Sequence, residues 1–198
     1  MRRVIQIIAL AVAALLLATG TMMAYDTARI FNENRCWGCL ALDPAGKVFD
    51  GFWTTYPSIY GGKAGENVSH PGWIADALNH TPVVMLFFWY QGCSSCKVLW
   101  DNMRDMGTVT GGEADGDIAM ANVTLYSIDF LAGGNQTRSQ AFDVYTIDRG
   151  APTTVILLKK DGAIYWYAFE GATYPKDKNG ERMTVQALLE EALEETTP

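Results

Sequence analysis

Histidine is almost missing from this chain of 198 residues: there are two, His70 and His80. Their places in the sequence point to surface or capping roles rather than to catalysis. Basic residues are also scarce, 15 Lys and Arg against 22 Asp and Glu, for a net charge of −7. Phosphate backbones are gripped by clustered Lys and Arg, so no nucleic-acid partner is expected. The carboxylates are scattered, with no paired-acid arrangement and no calcium-loop spacing. A glycine-rich phosphate loop and a dinucleotide fingerprint are both missing, which leaves nucleotide, flavin and nicotinamide cofactors without a motif. No cofactor and no metal ligand set is assigned. The chain has no repeat of fixed period and no low-complexity tract. Charged residues make up 19% and hydrophobic residues 49%, which describes a globular chain carrying an apolar segment.

That segment is at the start. Arg2 and Arg3 precede an uncharged run of 22 residues, Val4 to Tyr25. As a helix it measures roughly 33 Å, enough to cross a bilayer. It reads as a retained signal anchor. The alternative is a signal peptide cleaved near Ala18-Thr19-Gly20 or Met22-Met23-Ala24, with the chain then secreted. Both readings leave Arg2 and Arg3 in the cytoplasm and place the remainder outside it, in a single-pass topology. Sequons at Asn67, Asn79, Asn122 and Asn135 are compatible with export. The expected organisation is an anchor or signal over 1–25, an N-terminal extension over 26–66 and one folded domain over 67–198.

Within that domain the patterns predict a helix from Ser69 to about Leu78, with Ser69 as its cap and Pro71 in its first turn. Val83–Tyr90 is almost wholly apolar, which fits a strand buried on both faces. A helix follows from Cys93 to about Met106, with Cys96, Val98, Leu99, Trp100 and Met103 as core positions. Residues 107–118, with four glycines, read as a loop. Strands are expected at Val123–Phe130, Thr153–Leu158 and Ala163–Phe169, a short helix at Ser139–Tyr145, and a hairpin turn at Asp161-Gly162. The last helix, Thr184 to Glu194, spaces Val185, Leu188, Leu189 and Ala192 on one face. The order is β-α-β-α-β-β-α if residues before 69 supply a first strand. This is a mixed sheet with helices on its faces.

The chemistry concentrates in Cys93-Ser94-Ser95-Cys96. Two cysteines two residues apart can close a small disulfide ring. At a helix N-terminus the first thiolate is favoured by the helix dipole and by unpaired backbone N–H groups. Together with Phe88-Trp89 before the pair, Lys97 after it, Ser127-Ile128-Asp129 at a strand end and Arg149-Gly150-Ala151-Pro152-Thr153, this motif makes residues 70–195 resemble the thioredoxin superfamily. The resemblance implies a cis Pro152 facing the cysteines and an Ala151 backbone that pairs with substrate beside Ser94 and Ser95. It implies that Cys93 attacks a disulfide and Cys96 resolves the mixed disulfide, with protein thiols and disulfides as substrates. The chain also departs from the family. Ser94-Ser95 replaces the Gly-Pro of reducing members, Gly92 replaces the Trp before the first cysteine, and Phe87 occupies the place of a buried Asp. No His lies between the cysteines, as it does in strongly oxidising relatives.

A second pair, Cys36-Trp37-Gly38-Cys39, lies in the extension. It reads as a second redox pair exchanging electrons with Cys93 and Cys96 or with a membrane electron-transfer partner, as a structural disulfide, or as a metal site. The 53 residues between the pairs exceed the usual zinc-ribbon spacing of roughly 15–20. Leu40 follows Cys39, so the haem-attachment motif is not present. The leading functional expectation is an extracytoplasmic thiol–disulfide oxidoreductase. The alternatives are a metal-binding or metal-delivery module using the CxxC thiolates, and an assembly protein in which the fold serves only as a surface.

Overall fold

The structure, a computed structural model, describes residues 48–132 and 136–196. The N-terminal apolar run, the pair Cys36 and Cys39 and the sequon residue Asn135 lie outside the described residues. Among the described residues no helix is long and apolar enough to cross a membrane.

Four strands form the central sheet: β2 (Val83–Trp89), β5 (Val123–Asp129), β6 (Thr153–Lys160) and β7 (Ala163–Glu170), in the order β5-β2-β6-β7. β2 runs parallel to β5 and antiparallel to β6, and β6 and β7 form an antiparallel hairpin. The hairpin turns at Asp161-Gly162, both with positive φ (53° and 79°), the geometry that a two-residue turn between right-twisted strands demands. Being central, β2 is covered on both faces, and every residue from Val83 to Phe88 is fully buried. Each such apolar side chain stabilises the fold by about 1.5–3 kcal/mol.

The two-residue period of the strands splits the core between the two faces of the sheet. Val83, Met85 and Phe87 face a core shared with α2 (Ser94–Asp105) and α4 (Val185–Thr196). Val84, Leu86 and Phe88 face a second core shared with α1 (Gly72–Ala77) and α3 (Gln136–Tyr145). α4 buries Val185, Leu188, Leu189 and Ala192 as their spacing predicts, and the Thr184 hydroxyl caps it by accepting from the Ala187 N–H at 3.2 Å.

Several expectations are corrected. Val98 is 48% exposed, because it lies on the opposite side of α2 from Cys96, Leu99 and Met103. α1 begins after Pro71, which occupies the cap position, and Ser69 makes no cap bond. The segment 107–118 holds a small antiparallel pair, β3 (Val109–Thr110) and β4 (Asp117–Ile118). It is folded over Trp100, whose indole N–H donates to the Gly111 carbonyl at 3.0 Å. A Cβ at Gly116 would stand 2.2 Å from the Trp100 ring, so that glycine makes the close approach possible. The region before residue 69 supplies no strand to the central sheet among the described residues. Its β1 (Val48–Phe49) pairs in parallel with β8 (Lys176–Asp177), and Trp53 makes a single bridge to Trp166 on the free edge of β7. Tyr56 and Tyr60 are buried against Trp166, Tyr60 from within a run of 3-10 helix over Ser58–Lys63.

Candidate active site

Register and strand direction bring four chain segments to one end of the sheet. β2 and β5 both finish there, Phe88 opposite Ile128 and Trp89 opposite Asp129. β6 starts there, with Thr153 opposite Phe88, and β7 finishes there, with Glu170 opposite Thr153. The turn after β2 passes through Gly92, whose φ of +88° a larger residue would rarely adopt, and delivers Cys93 to the N-cap of α2.

Cys93 and Cys96 are joined by a disulfide with a Cα–Cα distance of 5.3 Å. The two sulfurs live in different surroundings. Cys93 retains an edge of exposure (6%), whereas Cys96 is wholly buried in the core formed with Phe87, Leu99, Trp100 and Met103. The Cys93 Sγ accepts the Cys96 backbone N–H at 3.1 Å, one of the donors that a helix start leaves without a partner inside the helix. The same donor and the helix dipole favour a thiolate at Cys93 once the disulfide is opened. Burial among apolar side chains favours the protonated thiol at Cys96.

The Ala151–Pro152 peptide is cis. The Ser95 hydroxyl lies 3.4 Å from the Cys93 Sγ and donates to the Ala151 carbonyl at 3.2 Å, so it joins the cysteine turn to the proline loop. Thr153 Oγ1 donates to the Gly150 carbonyl at 2.7 Å, and the Gly171 N–H donates to the Pro152 carbonyl at 2.8 Å. Cys93, Ser95, Cys96, Ala151 and Pro152 therefore stand in one connected group. Ser94 is exposed at the first turn of α2. Lys97 points to solvent and pairs with Asp101 at 2.8 Å, a contact between two exposed groups.

The fold is the mixed sheet with helices on both faces that the sequence predicts. No protein-family model matches the chain, and none of the curated proteins matches it. Among solved structures it is similar to a thioredoxin of Trichomonas vaginalis, at 16% identity and a TM-score of 0.37, covering 64% of this chain and 92% of that one. It is also similar to a thioredoxin of Plasmodium falciparum, at 14% identity and a TM-score of 0.35, covering 64% of this chain and 82% of that one. At these values the likeness carries no argument about the site, whose chemistry rests on the geometry of this chain.

Two groups escape a reading of the sequence. Glu170 ends the apolar strand β7 and is 7% exposed; burial pushes its carboxyl up, and backbone N–H groups from the proline loop oppose that rise. The available signal was an acidic residue closing an apolar run, on the same alternating face as Trp166 and Ala168. His70 is half-buried rather than superficial, with Nδ1 2.8 Å from the Tyr145 hydroxyl, and burial pushes its pKa down. Nothing in its sequence context announces that contact. Among the described residues no group of three or more His, Cys, Asp or Glu is placed to hold a metal ion.

Proposed function

We propose that this chain is an extracytoplasmic thiol–disulfide oxidoreductase that cycles Cys93 and Cys96 between disulfide and dithiol on protein substrates. The observation that carries the reading is the asymmetric disulfide: Cys93 caps α2 at the rim beside Ala151 and Pro152, and Cys96 lies buried behind it. A purely structural role fits this pair poorly, since a ring with two intervening residues removes little chain entropy.

In the reducing direction, the Cys93 thiolate attacks one sulfur of a substrate disulfide. A Cys93–substrate bond forms and one substrate thiolate leaves. Cys96 then gives up its proton, through water, to the released substrate thiolate and attacks the Cys93 Sγ. The intramolecular disulfide forms, the second substrate thiolate leaves, and two electrons have passed from the dithiol to the substrate. The reverse sequence oxidises a substrate dithiol. The Ala151 backbone is the proposed docking edge for the substrate chain, with Pro152 beside it and Ser94 and Ser95 across from it. The apolar segment Val4–Tyr25 is the proposed membrane tether. Cys36 and Cys39 are the proposed second redox pair, exchanging with Cys93 and Cys96 or with a partner in the membrane.

Redox titration of the full chain against glutathione tests the reading. The expected result is a reversible couple that is lost in Cys93→Ser, while Cys96→Ser accumulates mixed disulfides with substrate. A pair that never cycles, or a Cys93→Ser chain with full activity, would sink the proposal.

A further inference from the structure

We propose that Glu170 is a positioning residue for substrate: its carboxylate holds the backbone of residues 147–150, and so fixes the Ala151–Pro152 edge against which the substrate chain lies. The inference rests on the reading of Cys93 and Cys96 as an exchange pair. It assigns to this site a residue from the opposite face of the sheet.

Glu170 Oε1 accepts the Ile147 N–H at 2.6 Å and the Asp148 N–H at 3.2 Å, and Oε2 lies 3.4 Å from the Asp148 nitrogen. The Gly150 backbone amide also opposes the rise of that carboxyl. These N–H groups belong to a connection between α3 and β6, where no helix or strand supplies their acceptors. A carboxylate is the side chain best able to accept from several converging donors, and bonds to a charged acceptor are stronger than neutral ones. The fit is close. A Cβ added at Gly150 would stand 2.7 Å from Oε2, so the chain passes directly against the acid at that residue. Arg149 holds a left-handed backbone (φ 57°), a conformation that a non-glycine residue keeps only when its surroundings impose it. Its guanidinium turns outward to Asp143 at 2.6 Å, so the cation of the loop is directed away from the acid.

The contacts then run in one direction. Glu170 bonds Ile147 and Asp148 and packs against Gly150; the next residue, Ala151, presents its carbonyl to Ser95; Ser95 lies against the Cys93 sulfur. Glu170 projects from the face of β7 that carries Trp166 and Ala168, whereas Cys96 lies in the core on the other face. It therefore acts through the loop rather than by exchanging a proton with Cys96. A docking edge held rigid in advance spares the substrate complex the cost of ordering it.

The test compares a substrate that needs the edge with one that does not, using the full chain. Glu170→Ala is expected to raise KM for a peptide disulfide about tenfold, with kcat and the rate of reduction by dithiothreitol each within about twofold of the parent. An unchanged KM in a folded variant overturns the inference. So does a loss with dithiothreitol as large as the loss with peptide, which marks general damage to the cysteine turn. If Glu170→Ala does not fold, Glu170→Gln serves. It keeps one acceptor oxygen but turns an amide N–H toward Gly150, and it is expected to raise KM about threefold; an unchanged KM there also overturns the inference. A parent chain that exchanges with neither substrate overturns the oxidoreductase reading itself, independently of Glu170.

Discussion

On one face of the central sheet, Cys96 is packed among Phe87, Leu99, Trp100 and Met103, and Met85, Ile156 and Leu188 extend the same apolar surface. On the other face, the buried set includes Tyr56, Tyr60 and Tyr145, with His70 on the Tyr145 hydroxyl and Glu170 on the loop N–H groups. Tyr60 donates to the Tyr145 carbonyl at 2.5 Å and Tyr56 to the Val144 carbonyl at 3.1 Å, so these hydroxyls are spent on holding backbone. The contrast separates two tasks. Among the described residues, those packed behind the disulfide around Cys96 are apolar, an environment that favours a thiol at the inner sulfur on reduction. The opposite face carries the polar groups, and they hold the segment from Val144 to Gly150 that leads into the cis peptide.

The two faces can be made to fail separately. Cys93→Ser has the largest expected effect, complete loss of turnover with a peptide disulfide, measured beside an unchanged unfolding midpoint. Phe87→Asp places a carboxylate behind Cys96 with no partner. It is expected to destabilise the fold by at least about 3 kcal/mol in urea unfolding, combining a lost aromatic with a buried unpaired acid. Gly116→Ala drives a methyl into Trp100 on the same face, 2.2 Å from its ring, where over-packing costs about 1–3 kcal/mol. Ser95→Ala is smaller. On reduction the Ser95 hydroxyl can turn from the Ala151 carbonyl to the Cys93 thiolate, a better acceptor. Its removal is expected to raise the Cys93 pKa by about half to one unit in pH-dependent alkylation, the equivalent of one modest hydrogen bond.

The smallest expected effect belongs to the polar face. Burial lowers the His70 pKa, so the folded state binds its proton less readily than the unfolded state. The stabilisation is complete above the ordinary histidine pKa and is lost as pH falls below it. His70→Gln, which can keep a bond to the Tyr145 hydroxyl, is expected to flatten the decline in Tm between about pH 7.5 and 5.5 that the parent shows. An equally steep decline in the variant would assign it to other groups. Glu170 has the opposite sign. Its raised pKa gives a contribution that is present below the usual carboxylate range and is lost as pH rises through the raised value.

The elements that build the cysteine end were legible because each carries a strong local pattern. Val83–Phe88 is apolar throughout, Asp161-Gly162 is a turn by its chemistry, and α4 repeats its apolar residues at helical spacing. Cys93 and Pro152 could be placed opposite each other through resemblance, since 58 residues separate them and no local rule links them. What stayed hidden depends on contacts distant in sequence. Glu170 looks like a surface acid until the register sets it opposite Thr153 and against Ile147. Ser95 is placed beside Ala151 by the resemblance, but the hydroxyl bond that ties the two together is not legible in the sequence. The pair β1 and β8 has two residues per strand, too few for a period to show, and the glycines at 111 and 116 read as loop because Trp100, which they pack around, lies more than ten residues earlier.

The central claim is that Cys93 and Cys96 form a working couple rather than a staple, and one measurement bears on it most directly. The full chain is equilibrated across a series of glutathione potentials, quenched in acid, and its thiols are counted by alkylation and mass. The account predicts a reversible two-electron transition assigned to Cys93 and Cys96, with Cys93 the faster of the two to alkylate in the reduced form. A disulfide that stays closed across the whole series, or a reduced form in which Cys96 alkylates first, would contradict it.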